Sequence, residues 1–178
     1  MAVGLGLEQN YFSQRFTNDP TLLFRIFNYP SASRDQSQDW GVQEHTDMGF
    51  LTILKQDHLG GLEVKTRDDQ WIEAPPMDGA FIINIGDMLE LWTWGLLRAT
   101  PHRVRNAAKS DRISMPFFYD PNWQSTLEPI SKELLGVSKT ESQASERWDK
   151  LDLASLSTDM TYGDFVWSKV KNVFPDLA

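Results

Sequence analysis

Residues 41–56 of this 178-residue chain read Gly-Val-Gln-Glu-His-Thr-Asp-Met-Gly-Phe-Leu-Thr-Ile-Leu-Lys-Gln. Two runs of strand-forming residues, 41–45 and 50–56, lie on either side of a short turn. Because a strand sends residues i and i+2 to the same face, we predict that His45 and Asp47 project together. This stretch therefore predicts β structure and brings two chemically active side chains together at the end of a strand.

Similar runs recur along the middle of the chain, and turn signals such as Gly60-Gly61 and Pro75-Pro76 separate them. The predicted strands are 22–29, 41–45, 50–56, 62–66, 70–74, 80–85, 102–106 and 112–119. Eight short strands with mostly tight connections predict a mainly β fold, a two-sheet sandwich of the jelly-roll type.

Helical patterns flank the predicted strands. They cover residues 7–16, a turn from Gly86-Asp87 through Leu91, and two C-terminal segments, 130–135 and 162–174. Residues 138–145 are polar and are predicted to form a surface loop. Because we find no internal repeat and no linker, we predict one domain over 1–178, with its core at 21–122 and a helical C-terminal extension at 128–178.

Composition narrows the class of protein. The formal net charge is -8, so general binding to nucleic acid is not expected. The chain has no cysteine, which excludes a disulfide framework and a thiolate metal site. No apolar run approaches the ~20 residues that cross a bilayer, so a cytoplasmic protein without a membrane partner is predicted.

The chain has three histidines, and two of them suggest a metal site. Two imidazoles and one carboxylate can hold one face of an Fe(II) ion and leave the other face open. We predict that His45, Asp47 and His102 form this set, with opposed strands of a narrow barrel bringing His102 close. The alternatives are that Asp47 is a turn residue and that His102 bonds to backbone. His58 lies in a predicted loop and is expected to be solvated.

Arg112 and Ser114 also stand at i and i+2, so they share a strand face. A guanidinium holds a carboxylate through two parallel hydrogen bonds, and a neighbouring hydroxyl adds a third. The pair can therefore grip the far carboxylate of a small diacid whose other end chelates the metal, with Tyr29 as a further donor. The alternatives are a surface arginine opposite Asp111 or Glu63 and, for Tyr29, a core aromatic ring.

Taken in order, these residues belong to a series of motifs across 21–122. The series is Asn28-Tyr29-Pro30, His45-Thr46-Asp47, Leu51-Thr52-Ile53-Leu54-Lys55-Gln56-Asp57, Gly60-Gly61-Leu62, Asn84-Ile85-Gly86-Asp87, Pro101-His102-Arg103-Val104 and Arg112-Ile113-Ser114. It closely resembles the isopenicillin-N-synthase-like family of Fe(II)/2-oxoglutarate-dependent oxygenases. The resemblance implies a distorted double-stranded β-helix, or jelly roll, with flanking C-terminal helices.

The resemblance also implies an activity. His45, Asp47 and His102 would hold Fe(II), while Arg112, Ser114 and Tyr29 would hold the cosubstrate 2-oxoglutarate. O2 would oxidatively decarboxylate 2-oxoglutarate to succinate and CO2 while a small organic molecule is hydroxylated, desaturated or cyclised, and ascorbate is a candidate additional cofactor. Two alternatives stay open: an iron oxidase of the same family that needs no cosubstrate, and an inactive interaction module.

Two departures from the family pattern concern the surroundings of the site. Family members carry an N-terminal region before the point where this chain begins, so we expect a bare face that self-association or a partner would cover. Trp94 stands where relatives commonly carry Asn in a tight turn, and tryptophan tolerates positive φ poorly. Trp94 and Phe118 are the candidate substrate contacts.

Overall fold

The computed structural model describes residues 1–31, 40–105, 110–137 and 157–173. The helical elements are a 3-10 turn at Val3–Leu5 and the helices α1 Tyr11–Arg15, α2 Asp87–Trp92, α3 Lys132–Leu135 and α4 Tyr162–Val173. The strands are β1 Thr21–Phe24, β2 Phe27–Tyr29, β3 Trp40–His45, β4 Leu51–Gln56, β5 Leu62–Lys65, β6 Trp71–Glu73, β7 Ile82–Ile85, β8 His102–Arg105 and β9 Arg112–Asp120. Among the described residues, no helix is long and apolar enough to cross a membrane.

The strands form two antiparallel sheets. The first has the order β1-β9-β4-β7, with β2 also paired to β9, and the second has the order β3-β8-β5-β6. Leu54 of the first sheet packs in one buried cluster with Leu62 and Val104 of the second. The two sheets therefore pack face to face, and the prediction of a mainly β jelly roll is confirmed.

Alternation along β4 separates the inner face of the first sheet from its outer face. Thr52, Leu54 and Gln56 are buried, while the residues between them are only half-buried. This period of two is what a strand covered on one side produces. Two of the three inward side chains are polar, so the interior of the sandwich contains hydrogen-bonding groups as well as apolar side chains.

The predicted strand 22–29 is divided into β1 and β2, although both pair with β9 in one continuous register. The break lies opposite Pro116 of β9. Arg25 donates its backbone N–H to the Pro116 carbonyl, but proline has no N–H to return. The missing ladder bond explains why one sequence run became two strands.

The largest apolar cluster lies outside the sandwich, where helices from both ends of the chain meet α2. Phe16 stacks on Trp92 with ring centroids 3.7 Å apart, and Leu127, Ile130 and Phe165 are fully buried around them. Aromatic side chains bury large areas and contribute heavily to such a core. This core attaches α2 and α4 to the end of the sheets that carries Asp47 and Asp120.

Sequence and structure differ at several element ends. The α1 helix is shorter than the predicted 7–16, and α3 begins at Lys132 because Ser131 caps it by accepting the N–H of Leu134. Trp94 adopts a positive φ of 54°, although tryptophan tolerates such a backbone conformation poorly. The predicted loop 138–145 lies outside the described residues.

Candidate metal centre

The two histidines of the predicted site are directly opposite each other on neighbouring strands. His45 ends β3, His102 begins β8, and the two residues are register partners. Their ring centroids are 4.2 Å apart. The expectation that opposed strands of a barrel would bring His102 close was wrong, because the two strands are hydrogen-bonded neighbours in one sheet.

Hydrogen bonds at the far side of each ring orient the two imidazoles. His45 Nδ1 lies 2.8 Å from the carbonyl of Gln43, and His102 Nδ1 lies 3.0 Å from the carbonyl of Thr100. A carbonyl can only accept, so in the neutral form of each ring Nδ1 carries the proton and Nε2 is the nitrogen with a free lone pair. This arrangement is typical of histidines that bind a metal through Nε2.

The Asp47 carboxylate completes the group. Its Oδ1 lies 3.7 Å from His102 Nε2 and 4.0 Å from His45 Nε2. These separations are too long for hydrogen bonds, yet one ligand atom from each residue lies within 4.8 Å of the others. Its other oxygen, Oδ2, accepts a 3.4 Å hydrogen bond from Asn84 Nδ2. The donor set fits Fe(II), which binds two imidazoles and one carboxylate on a single face.

The surroundings keep His45 in its metal-binding form. Burial lowers the pKa of His45, and the nearby imidazole of His102 lowers it further, while Asp47 opposes both effects. A lowered pKa means a neutral ring at neutral pH, and only the neutral ring can donate a lone pair.

Arg112 is a buried guanidinium on the inner face of β9, with 1% of its surface exposed. Its Nε donates to the Gly60 carbonyl at 2.5 Å, and its Nη2 donates to Gln56 Oε1 at 3.0 Å. Its Nη1 is buried without a protein partner among the described residues. The alternative of a surface arginine opposite Asp111 or Glu63 does not hold, because Arg112 is buried and Glu63 bonds to Arg103 at 2.6 Å. A buried unpaired N–H of a charged group fits the carboxylate of an anionic ligand.

Tyr29 and Ser114 lie beside this guanidinium. The Tyr29 ring is 5.2 Å from Arg112 Cζ, and burial raises the pKa of its hydroxyl although the cation opposes the shift. Burial lowers the pKa of Arg112, but the group stays charged because its usual value is so high. Gly41 makes room for the ring, since a Cβ there would lie 2.6 Å from Tyr29 Cδ1. Ser114 is 4% exposed on the same strand face as Arg112.

The inner face of β4 connects the two groups. Thr52 pairs with Asn84, the partner of Asp47, while Gln56 contacts Arg112. Gln56 follows Thr52 by four positions along the strand, which corresponds to about 13 Å. A small diacid held at both ends would span strand positions that lie this far apart.

The other candidates have different surroundings. Phe118 lies on β9 opposite Thr52 and is half-buried, facing the inside of the sandwich. Trp94 donates its indole N–H to the Ile130 carbonyl at 2.7 Å, and Lys132 Nζ lies 4.3 Å from the ring centre. His58 is exposed, as expected. Substrate roles for Phe118 and Trp94 stay predictions.

Sequence reasoning did not assign roles to Asn84 and Gln56. Asn84 supports Asp47, and Gln56 supports Arg112, yet neither belongs to a residue type that marks a metal or anion site by itself. The available signal was position, since each is a polar residue on the buried face of its strand. Buried polar side chains have partners, so such positions point to a neighbouring functional group.

Comparison with known proteins agrees with this geometry. The model of the 2OG-Fe(II) oxygenase superfamily matches residues 10–121. A probable iron/ascorbate oxidoreductase of Dictyostelium discoideum is 45% identical over 99% of this chain and 52% of its own length. A 1-aminocyclopropane-1-carboxylate oxidase of Dictyostelium mucoroides is 35% identical over 100% of this chain and 55% of its own. A homoarginine-6-hydroxylase of Glycine max is 33% identical over 99% of this chain and 51% of its own.

Solved structures of 2-oxoglutarate-dependent oxygenases also resemble this chain. A full-length protein of Neurospora crassa in complex with alpha-KG and 5-formyluracil has a TM-score of 0.78 at 26% identity, covering 96% of this chain and 53% of that one. A dioxygenase for auxin oxidation from rice has a TM-score of 0.73 at 29% identity, covering 97% and 52%. The chain spans about half the length of these relatives. It belongs to the 2OG-Fe(II) oxygenase superfamily.

Proposed function

We propose that residues 1–178 form one catalytic domain of an Fe(II)- and 2-oxoglutarate-dependent oxygenase that hydroxylates, desaturates or cyclises a small organic molecule. The convergence of His45 Nε2, His102 Nε2 and Asp47 Oδ1 carries the proposal. Relatives of this chain include solved complexes with 2-oxoglutarate, which supports the choice of cosubstrate.

The site residues have two proposed roles: some bind Fe(II) or 2-oxoglutarate, and others orient the binding groups. His45, Asp47 and His102 would hold Fe(II), and Asn84 would keep the Asp47 carboxylate turned toward it. Arg112 would hold the far carboxylate of 2-oxoglutarate through its free Nη1. With Fe(II) and 2-oxoglutarate bound, O2 would supply the oxidising power, and 2-oxoglutarate would supply two electrons as it is converted to succinate and CO2.

Ser114 and Tyr29 complete the proposed cosubstrate site. Both lie beside Arg112, and both carry a hydroxyl that can donate to the same carboxylate. The apolar side chains of Leu54 and Phe118 line the inner face between the two groups and would keep water from the reacting centre.

A cosubstrate-independent oxidase is the second candidate, and the likeness to a 1-aminocyclopropane-1-carboxylate oxidase supports it. In that case Arg112 would hold a carboxylate of the substrate itself. The two candidates differ in whether 2-oxoglutarate reaches the metal, which a spectrum detects directly.

We expect a visible metal-to-ligand charge-transfer band when 2-oxoglutarate is added anaerobically to the Fe(II)-loaded protein. The band arises only when the keto acid chelates the iron, so succinate, which has no keto group, serves as the matched control and should give none. A spectrum unchanged by 2-oxoglutarate would favour the cosubstrate-independent candidate.

The substrate is proposed only as a small organic molecule. Relatives named for homoarginine and for scopoletin hydroxylation match this chain at 33% and 44% identity, and those two compounds share little chemistry. Phe118 and Trp94 stay the proposed substrate contacts, and ascorbate a proposed additional cofactor. We also propose that the protein works in the cytoplasm.

The outer face of the first sheet supports a proposal about assembly. Phe24, Phe117, Ile53 and Ile83 are register partners in one row across β1, β9, β4 and β7. At the two ends of the row, Phe24 is 56% exposed and Ile83 is 55% exposed. Exposed apolar surface of this extent is typical of a contact with another protein surface.

The second sheet presents a different outer face. Arg103 bonds to Glu63, and Lys65 bonds to Glu44 at 3.2 Å, so charged pairs face the solvent there. We propose that the apolar face of the first sheet, and not the charged face of the second, is covered by a second copy when the 178-residue chain stands alone. An inactive interaction module would use the same face.

Replacing Phe24 by serine should convert an associated 178-residue chain into a monomer, because it removes the most exposed ring of the row. Light scattering coupled to size exclusion measures the change. Ile72→Ser is the matched control, since Ile72 is 51% exposed but lies on β6 of the other sheet. A wild-type chain that is already monomeric would refute the proposal.

A further inference from the structure

The turn that carries Asp47 is fixed on one side by the beginning of α2. The N–H of Asp87 donates to the Asp47 carbonyl at 2.8 Å, and the N–H of Met88 donates to the Gly49 carbonyl at 3.1 Å. The N–H of Gly86 donates to the Phe50 carbonyl at 3.0 Å. Three backbone hydrogen bonds from the beginning of α2 therefore fix one side of the turn at residues 46–50.

The other side of the turn rests against Asp120 at the end of β9. Asp120 Oδ1 accepts the N–H of Phe50 at 3.2 Å. The carboxylate also lies directly against Gly49, because a Cβ at that position would be 1.5 Å from Asp120 Oδ1. Only glycine, which has no Cβ, allows so close an approach. The Asp120 carboxylate therefore packs against the turn at a position two residues from Asp47, the proposed metal ligand.

The Asp120 carboxylate is in turn held by α4. The hydroxyl of Tyr162, the first residue of that helix, donates a hydrogen bond to it. Tyr162 is 3% exposed and packs in the helical core with Phe165. A continuous chain of contacts thus leads from α4 through Asp120 to the turn, without touching the proposed ligand atoms.

We propose that Asp120 and Tyr162 are positioning residues for the metal centre, setting the turn so that Asp47 Oδ1 faces both histidine Nε2 atoms. The proposal rests on the proposed metal site. Groups that orient a metal ligand from behind affect metal affinity about 10- to 100-fold when they are removed. The C-terminal helix would therefore take part in metal binding although it supplies no ligand.

Anaerobic titration with Co(II), a spectroscopic stand-in for Fe(II), tests this through the Kd and the d–d absorption bands. Asp120→Ala should raise the Co(II) Kd about 10- to 100-fold and alter the bands. Asp120→Asn should stay within about threefold of wild type, because its amide oxygen can still accept from Phe50 and its amide N–H can donate to the Tyr162 hydroxyl oxygen. Tyr162→Phe should raise the Kd roughly three- to tenfold, since the carboxylate stays but loses its anchor.

Ser125→Ala is the matched control. It removes a buried 2.9 Å side-chain hydrogen bond to the Phe16 carbonyl in the same part of the molecule. The Ser125 backbone carbonyl, which accepts the N–H of Tyr162, is kept in this variant. We expect it to lower the Tm while leaving the Kd and the bands as in wild type.

The outcomes separate this inference from the proposed function. If Asp120→Ala and Tyr162→Phe lower only the Tm, as the control does, the positioning role is refuted while the metal site stands. If Asp120→Ala does not fold, a wild-type Kd and spectrum in Tyr162→Phe refutes it equally. A wild-type protein that does not bind Co(II) refutes both the metal site and this inference.

Discussion

Replacing His45 by alanine should reduce Fe(II) binding and 2-oxoglutarate-dependent succinate formation by more than about 100-fold. The change removes one of three ligand atoms that lie within 4.8 Å of each other. Even the outer partners of a metal ligand affect affinity or activity about 10- to 100-fold, so loss of a ligand itself should have a larger effect. Anaerobic Fe(II) titration and a succinate assay measure the two quantities.

His58→Ala is the control for this experiment, because it removes an exposed imidazole outside the cluster. It should leave both quantities at the wild-type level. Near wild-type iron binding and turnover in His45→Ala would contradict the metal assignment, since the remaining histidine and aspartate offer only two ligands. Equal losses in the two variants would mean that unspecific damage, and not ligand removal, explains the result.

Replacing Arg112 by methionine should raise the Kd for 2-oxoglutarate at least about 100-fold and leave Fe(II) affinity nearly unchanged. Hydrogen bonds to a charged group contribute about 1.5–3 kcal/mol each, and the free Nη1 together with the second N–H of Nη2 can make two to one carboxylate. Every 1.4 kcal/mol corresponds to a tenfold change in Kd, which gives the expected size. Titration of the charge-transfer band with 2-oxoglutarate measures it.

Arg103→Met is the matched control, because Arg103 bonds to Glu63 on the second sheet and not to the proposed cosubstrate site. The control should bind 2-oxoglutarate as the wild type does. Unchanged 2-oxoglutarate binding in Arg112→Met would contradict the anchor role. A loss of Fe(II) binding of the same size as the loss of cosubstrate binding would also contradict it, since Arg112 contacts none of the proposed metal ligands.

Much of the fold was predictable because strand periodicity is a local property. The alternation of Thr52, Leu54 and Gln56 with half-buried residues follows directly from the order of residues in the chain. The break between β1 and β2 was not predicted, although Pro116 was visible in the sequence. Its effect depends on Arg25, which lies opposite it only after β2 and β9 have paired.

At Trp94, contacts with distant residues accompany a backbone conformation that the residue type disfavours. Sequence reasoning applied a local preference against positive φ, yet the residue adopts φ 54°. Its indole N–H bonds to the Ile130 carbonyl and Lys132 lies over its ring, so distant contacts accompany the conformation that local sterics disfavour. Strained backbone of this kind persists when the surrounding structure stabilises it.

The sequence by itself determined which chemical groups are available: two imidazoles, a carboxylate at i+2 from one of them, and an arginine at i−2 from a serine. Only the tertiary structure decided that His45 and His102 are cross-strand neighbours, and that Asn84, Gln56 and Asp120 support the site. The physical reason is that side-chain alternation is set within a strand, whereas strand pairing and partner choice depend on contacts between residues far apart along the chain.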